Sequence, residues 1–270
     1  EMPEYSNATL AICRDVLLES VAETSEEFMD RYFEGDEFSE DEIRQALRIN
    51  VGDGSMVPVL MGSNLMARGM YTLMTDIVKY FPSPDKRTCA GINVKSNEVF
   101  QADYDFSKSK SAYVFKTIVD PFIGKYSLIK VNSGVIKTDD LLYNYHRDFE
   151  EKAGRIYIMR GNKVEEVPEL HAGDIGALAK LQKTVTTDSL STRANPVAYL
   201  RTAISRPYVN LRYKARNKGD EDKISQAIQK LLQEDLTLAN INDSENGQTL
   251  LYGMGEQHLE IVAGTLLHKY

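Results

Sequence analysis

Ile224, Ala227, Ile228, Leu231 and Leu232 recur at i, i+3, i+4, i+7 and i+8, the period of one buried helical face. Leu259, Val262, Ala263, Leu266 and Leu267 repeat the pattern and predict a second helix. Between the two stripes the period shortens. Thr237 to Ile241 and Gln248 to Tyr252 are β-prone runs, joined by Asp243-Ser244-Glu245-Asn246-Gly247. The Asn-Gly pair tolerates the positive φ that a hairpin turn demands. A further strand at Tyr208 to Tyr213 precedes the first helix. The order strand, helix, strand, strand, helix is that of a ferredoxin-like split βαβ fold lacking its last strand.

Upstream, the pattern changes twice. Ser111 to Val119, Tyr126 to Val131, Gly154 to Arg160 and Ile175 to Leu181 are β-branched and aromatic runs of strand length. Asp120-Pro121-Phe122-Ile123-Gly124, Asn132-Ser133-Gly134 and His171-Ala172-Gly173-Asp174 punctuate them with turn residues. Many short strands within about a hundred residues predict a closed or nearly closed β-barrel. Glu1 to Pro84, by contrast, is helical and acidic. Thr24-x-x-Glu27 and Ser39-x-x-Glu42 are capping-box patterns, each with a hydroxyl at the N-cap and a carboxylate three residues on. Val57 to Met61 predicts a short apolar strand. It leads through Gly62-Ser63-Asn64-Leu65 and Gly69 into a helix carrying Met70, Leu73, Met74, Ile77 and Val78. Phe81-Pro82-Ser83-Pro84 stops that helix and marks a boundary. The chain is thus expected to be multidomain: α/β over 1–84, β-barrel over 85–190 and α+β over 195–270.

Composition narrows the partners. A hydrophobic share of 42% is ordinary for a globular protein, and no apolar run approaches the ~20 residues that span a bilayer. No charged-then-apolar leader opens the sequence. Cys13 and Cys89 match no metal spacing and read as two buried free thiols in a reducing cytoplasm. With 40 acidic against 32 basic residues and a net charge of −8, the chain is no general nucleic-acid coat, so any RNA contact must come from local patches. It begins at Glu1 rather than Met and stops inside an unfinished motif, as expected of a piece of a longer protein.

The wording of the motifs is specific. Phe115-Lys116 through Thr117-x-x-Asp120-Pro121-Phe122-x-Gly124, then Val131-x-Ser133-Gly134, Gly154-Arg155-Ile156 and Ala172-Gly173-Asp174-Ile175 resemble the second domain of translation elongation factor G. Ile224-Ser225-Gln226-Ala227 through Glu234-Asp235, Gly247-Gln248-Thr249 and Gly253-Met254-Gly255-Glu256-x-His258-Leu259-Glu260-Ile261 resemble its third. The resemblance implies that 1–84 is the tail of a P-loop GTPase domain, followed by a translation-factor barrel and a ferredoxin-like domain. It implies GTP and Mg as cofactors of the intact protein, and GTP-driven translocation of tRNA and mRNA as its work. Ribosomal RNA and small-subunit proteins would be its partners, and it would be a cytoplasmic monomer with no membrane contact. Ser63-Asn64-Leu65 stands where the family has a loop whose backbone amide reads the guanine oxygen, with Asn64 in place of Ala.

Most of the machinery of GTP hydrolysis is missing from the sequence. No Gly-x-x-x-x-Gly-Lys-Ser/Thr occurs to cradle phosphates, and no Asp-x-x-Gly to hold magnesium. Asn162-Lys163-Val164-Glu165 imitates the guanine-reading Asn-Lys-x-Asp but lies in the barrel and ends in Glu. No catalytic residue and no metal site is therefore assigned. Arg206, Arg212, Lys214, Arg216 and Lys218 interleave with Tyr208 and Tyr213, which suits ribosomal or RNA contact with aromatic stacking. An edge strand guarded by cations accounts for the same residues. Gly253-x-Gly255 reads as a tight strand-to-helix turn, and His258 as a packed or hydrogen-bonded histidine. Leu236, Leu238 and Asn64 depart from the family pattern and keep a paralogue open, such as a tetracycline-resistance ribosomal protection protein. A stand-alone interaction module needing no GTP is the alternative of another class.

Overall fold

Two serines set the helices of the N-terminal part. The computed structural model describes residues 7–86, 89–120, 124–161, 163–215 and 217–270, and the chain divides into two compact units, Glu1–Lys86 and Arg87–Tyr270. The first holds α1 (Asn7–Ala22), α2 (Glu26–Glu34), α3 (Glu40–Asp53) and α4 (Met70–Tyr80). Ser39 and Glu42 form the expected capping box, each satisfying the other's backbone amide. At α2 the cap is Ser25, not Thr24: the Phe28 amide donates to Ser25 Oγ at 3.2 Å, while the Thr24 hydroxyl turns back to the Ser20 carbonyl of α1. Val21, Ala22, Phe38 and Ala46 are the buried core. The Arg31 guanidinium lies 5.7 and 5.3 Å from the ring centroids of Phe28 and Phe38 and bonds Glu42 at 2.6 Å.

Val57 to Met61 does not form a strand. The segment is irregular, and Val57, Val59 and Met61 are exposed, Val59 at 88%. A strand exists only through its neighbours, and among the described residues of this unit no other strand lies beside it. Cys13 is exposed and Cys89 only half-buried, so the expectation of two buried thiols fails, although both are free.

The second unit opens with β1 (Ala90–Asn93), β2 (Glu98–Gln101), β3 (Ser111–Asp120), β4 (Gly124–Ser133), β5 (Val135–Lys137), β6 (Leu141–Asn144), β7 (Phe149–Lys152) and β8 (Ile156–Arg160). It continues with β9 (Lys163–Val167), β10 (Glu169–His171), β11 (Ile175–Ala179), β12 (Ser189–Ser191) and β13 (Val197–Ala198). One antiparallel sheet runs β7-β6-β12-β3-β4-β11-β8-β9; β10 pairs with β5, and β13-β1-β2 form a small third sheet. Leu142 of β6 and Ile156 of β8 share one core with Ile129, Val131 and Leu190. Those two strands stand five places apart in the sheet, ~24 Å if it were flat, so the sheet rolls around that core. Its outer strands β7 and β9 do not pair with each other among the described residues. Gly134 is required where the chain leaving β4 passes close to the start of β3: its φ is +71°, and a Cβ there would lie 2.6 Å from the Lys110 Cα.

The remainder is β14 (Val209–Tyr213), α5 (Glu221–Glu234), β15 (Ala239–Asp243), β16 (Gln248–Gly253) and α6 (Glu256–Lys269). Both outer strands are antiparallel to β16, in the order β14-β16-β15, so β14 and β15 are parallel to each other with α5 as their crossover. Ile228, Leu231, Leu238, Leu251, Leu259 and Val262 bury the helices against one face of the sheet.

Candidate functional site

The Ser63-Asn64-Leu65 loop is a tight turn in the first unit. Ser63 and Arg68 exchange backbone hydrogen bonds at 3.0 and 3.1 Å, and the Met66 amide donates to Ser63 Oγ at 3.3 Å. Asn64 and Leu65 occupy the tip, with Leu65 98% exposed. Among the described residues their amides donate to no protein acceptor. No group of His, Cys, Asp and Glu able to hold a metal occurs among the described residues.

The basic residues lie in the second unit, along and around β14. Arg206 precedes the strand, Arg212 is on it, Lys214 follows it, and Lys218 sits in the turn before α5; all four are exposed. Arg216 and the Pro121–Ile123 and Asn162 parts of the sequence motifs lie outside the described residues. No ion pair ties any of the four cations among the described residues, whereas Arg31, Arg147, Arg193 and Arg201 elsewhere are paired. β14 is an edge strand, as the guarding account requires. The two tyrosines part company. Tyr213 packs on the helix-side core and its hydroxyl donates to Asn240 Oδ1 at 3.1 Å, while Tyr208 is 72% exposed. A polar cleft of about 480 Å³ opens at the Lys214 end, between Tyr213, Glu221, Asn242 and Gln248.

The Gly-Met-Gly-Glu motif is a fastening. The Met254 amide donates to His258 Nδ1 at 3.1 Å, which leaves the ring proton on Nε2 to meet Asp235 Oδ2 at 3.0 Å. Asp235 caps the end of α5 and also receives the amide and hydroxyl of Thr237. Burial opposes its charge, yet Thr237 and His258 together hold its carboxyl below the usual range. Gly253 is small because a Cβ would meet the Leu259 side chain at 2.9 Å.

Sequence reasoning missed one junction altogether. The Val119 amide donates to Glu234 Oε1 at 2.7 Å, and Lys269 Nζ donates to the Val119 carbonyl at 3.2 Å and to Glu234 at 3.4 Å. Glu234 and Lys269, the last residues of α5 and α6, thus take both backbone groups of a buried residue near the end of β3. A second junction is internal to the rolled sheet. Glu151 of β7 accepts the amides of Gln182, Lys183 and Thr184 and the Thr184 hydroxyl. Burial works against this carboxylate too, but those donors outweigh it and keep its affinity for a proton low. Only spatial neighbours separated by tens of residues reveal either junction.

Two family profiles match the chain: Elongation factor G domain 2 over residues 109–193, and Elongation Factor G, domain III over residues 204–270. Together they take in more than half of it. A crystal structure of a protein from Thermus thermophilus is similar with a TM-score of 0.77 and 26% sequence identity. That match covers 99% of this chain and 38% of the other, so the chain spans well under half the length of the protein it matches. With two successive domains of one translation factor in order along it, the chain belongs to the elongation factor G family.

Proposed function

We propose that this chain is part of a translational GTPase that promotes movement of tRNA and mRNA through the ribosome in the cytoplasm. The observation that carries the reading is the pairing of the two family domains in one compact unit, joined at Val119, Glu234 and Lys269. The first unit would be the tail of the GTPase domain, the rolled sheet its barrel neighbour, and the split βαβ module a ferredoxin-like domain short of one strand. The strand order β14-β16-β15 supports that last assignment.

Guanine nucleotide fits this chain only in part. The amides of Asn64 and Leu65, which donate to no protein acceptor among the described residues, could receive the guanine oxygen, contributing one or two hydrogen bonds of about 1 kcal/mol each. Micromolar affinity takes about 8 kcal/mol. Neither a phosphate loop nor a magnesium ligand is present among the motifs of the sequence, so phosphate and metal do not fit, and other parts of the intact protein would hold them. The chain as it stands is expected to bind no fluorescent GTP analogue; a dissociation constant below about 10 μM would overturn this. Sedimentation with ribosomes should be weak and fall steeply with salt. Tight, salt-insensitive binding would replace the reading with that of a protein-interaction module.

A further inference from the structure

We propose that the open face of the β14-β16-β15 sheet binds single-stranded RNA, with bases stacked on Tyr252 and Tyr208 and phosphates held by Arg212 and its basic neighbours. The inference deepens the ribosomal reading above and rests on it for the source of the RNA, while the surface itself is argued from geometry.

Strand alternation divides the sheet cleanly. Val209, Tyr213 and Leu251 belong to the helix-side core. Register pairs Asn210 with Tyr252 and Arg212 with Leu250 across one ladder, and Ala239 with Tyr252 and Ile241 with Leu250 across the other. These six residues therefore share the face turned away from α5 and α6. At its centre lies a half-buried tyrosine ring, Tyr252, flanked by an amide and an arginine. Tyr208 extends the same strand end, its amide bonded to the Gly253 carbonyl at 3.2 Å and its ring largely exposed. An aromatic on the central strand, a second at the head of its neighbour and an arginine beside them suit the way sheet surfaces stack unpaired bases.

Charge selects the occupant. In a chain of net charge −8, Arg212 on β14 and Arg206 and Lys214 beside it have no ion-pair partner among the described residues. Guarding against pairing accounts for charge on this outer strand, but it gives no reason for a tyrosine in the next row of the same face. Asp243 is the acidic residue of these three strands. It stands at the far end of β15 and is tied to the amide and side chain of Asn246, so it leaves the Arg212 and Tyr252 side of the face cationic.

Fluorescence anisotropy of the whole chain with a labelled oligouridine, across a salt series, tests the proposal. Tyr252→Leu keeps an apolar side chain and should weaken binding about tenfold at every salt concentration. Arg212→Gln should lower the slope of log affinity against log salt by about 0.7 per lost phosphate contact. Tyr213→Phe, on the helix side, should change nothing, and circular dichroism of each variant shows whether the fold is kept. The proposal is overturned if folded Tyr252→Leu and Arg212→Gln bind like the parent chain, or if duplex RNA binds as well as single strands. Ribosome sedimentation separates the two levels. A chain that sediments with ribosomes yet ignores oligouridine sinks this surface and leaves the ribosomal reading standing. Oligouridine binding without sedimentation does the reverse.

Discussion

His258 serves two partners at once, and that makes its removal informative. His258→Ala leaves the Met254 amide without its acceptor and Asp235 Oδ2 without its donor, while Thr237 still bonds Oδ1. Losses of this kind cost about 1–3 kcal/mol. The expected outcome is a lower denaturation midpoint for the module of α5 and α6, with helix content retained. Glu42 carries a pH dependence of definite sign. The Arg31 guanidinium first, then the Ser39 amide and hydroxyl, hold its carboxyl down to about 2 from an ordinary value of 4.5. A folded-state value below the unfolded one adds stability that is present above about 4.5 and disappears as pH falls towards about 2. Glu42→Gln should therefore flatten the acid limb of unfolding for the first unit, followed by circular dichroism, while a limb unchanged by the substitution would assign acid sensitivity elsewhere.

Helices were readable because their apolar stripes and caps are local, yet cap identity turns on a single residue. Ser25→Ala should destabilise α2 by about 1 kcal/mol, and Thr24→Ala by less; chemical denaturation of the pair decides between the two hydroxyls. Strands were harder. Glu169–His171 and Lys163–Val167 carry too many charges to stand out as β, and they pair because the roll brings β5 and β8 alongside. At the start of β15 the Thr237 amide and hydroxyl bind Asp235, so the strand begins at Ala239 rather than at the first β-prone residue. Val57 to Met61 has strand composition without strand neighbours, and composition alone cannot supply them. Of the site residues, the Arg and Tyr interleaving was legible, but the assignment of Tyr208 and Tyr213 to different surroundings was not, because it depends on register.

At the scale of the second unit, Glu234 and Lys269 decide how far the rolled sheet and the α/β module unfold together. Glu234→Ala strips the buried Val119 amide of its acceptor, and the two parts should then melt in separate steps. Differential scanning calorimetry reads this directly; a single unchanged transition would show that the packing of α5 on β3 suffices. Amide exchange supplies a finer view. β16 is bonded on both sides, so its amides report on the module's global opening, whereas the outward amides of β14 have no partner among the described residues and should exchange fastest. If the module lacks a strand, its weakness belongs at that edge.

The bare ribbon of residues 57–61 carries a directional instruction. Were the segment to extend as a strand, its backbone groups would alternate, with Val57, Val59 and Met61 on one margin and Pro58, Leu60 and Gly62 on the other. Proline has no N–H, and it stands in the second set. A neighbouring strand can therefore dock fully along the Val57–Val59–Met61 margin alone. Within a sheet, proline past the first residue of a regular strand is confined to such one-sided places. Any sheet that recruits this ribbon must take it as an outermost member, with its proline margin facing away.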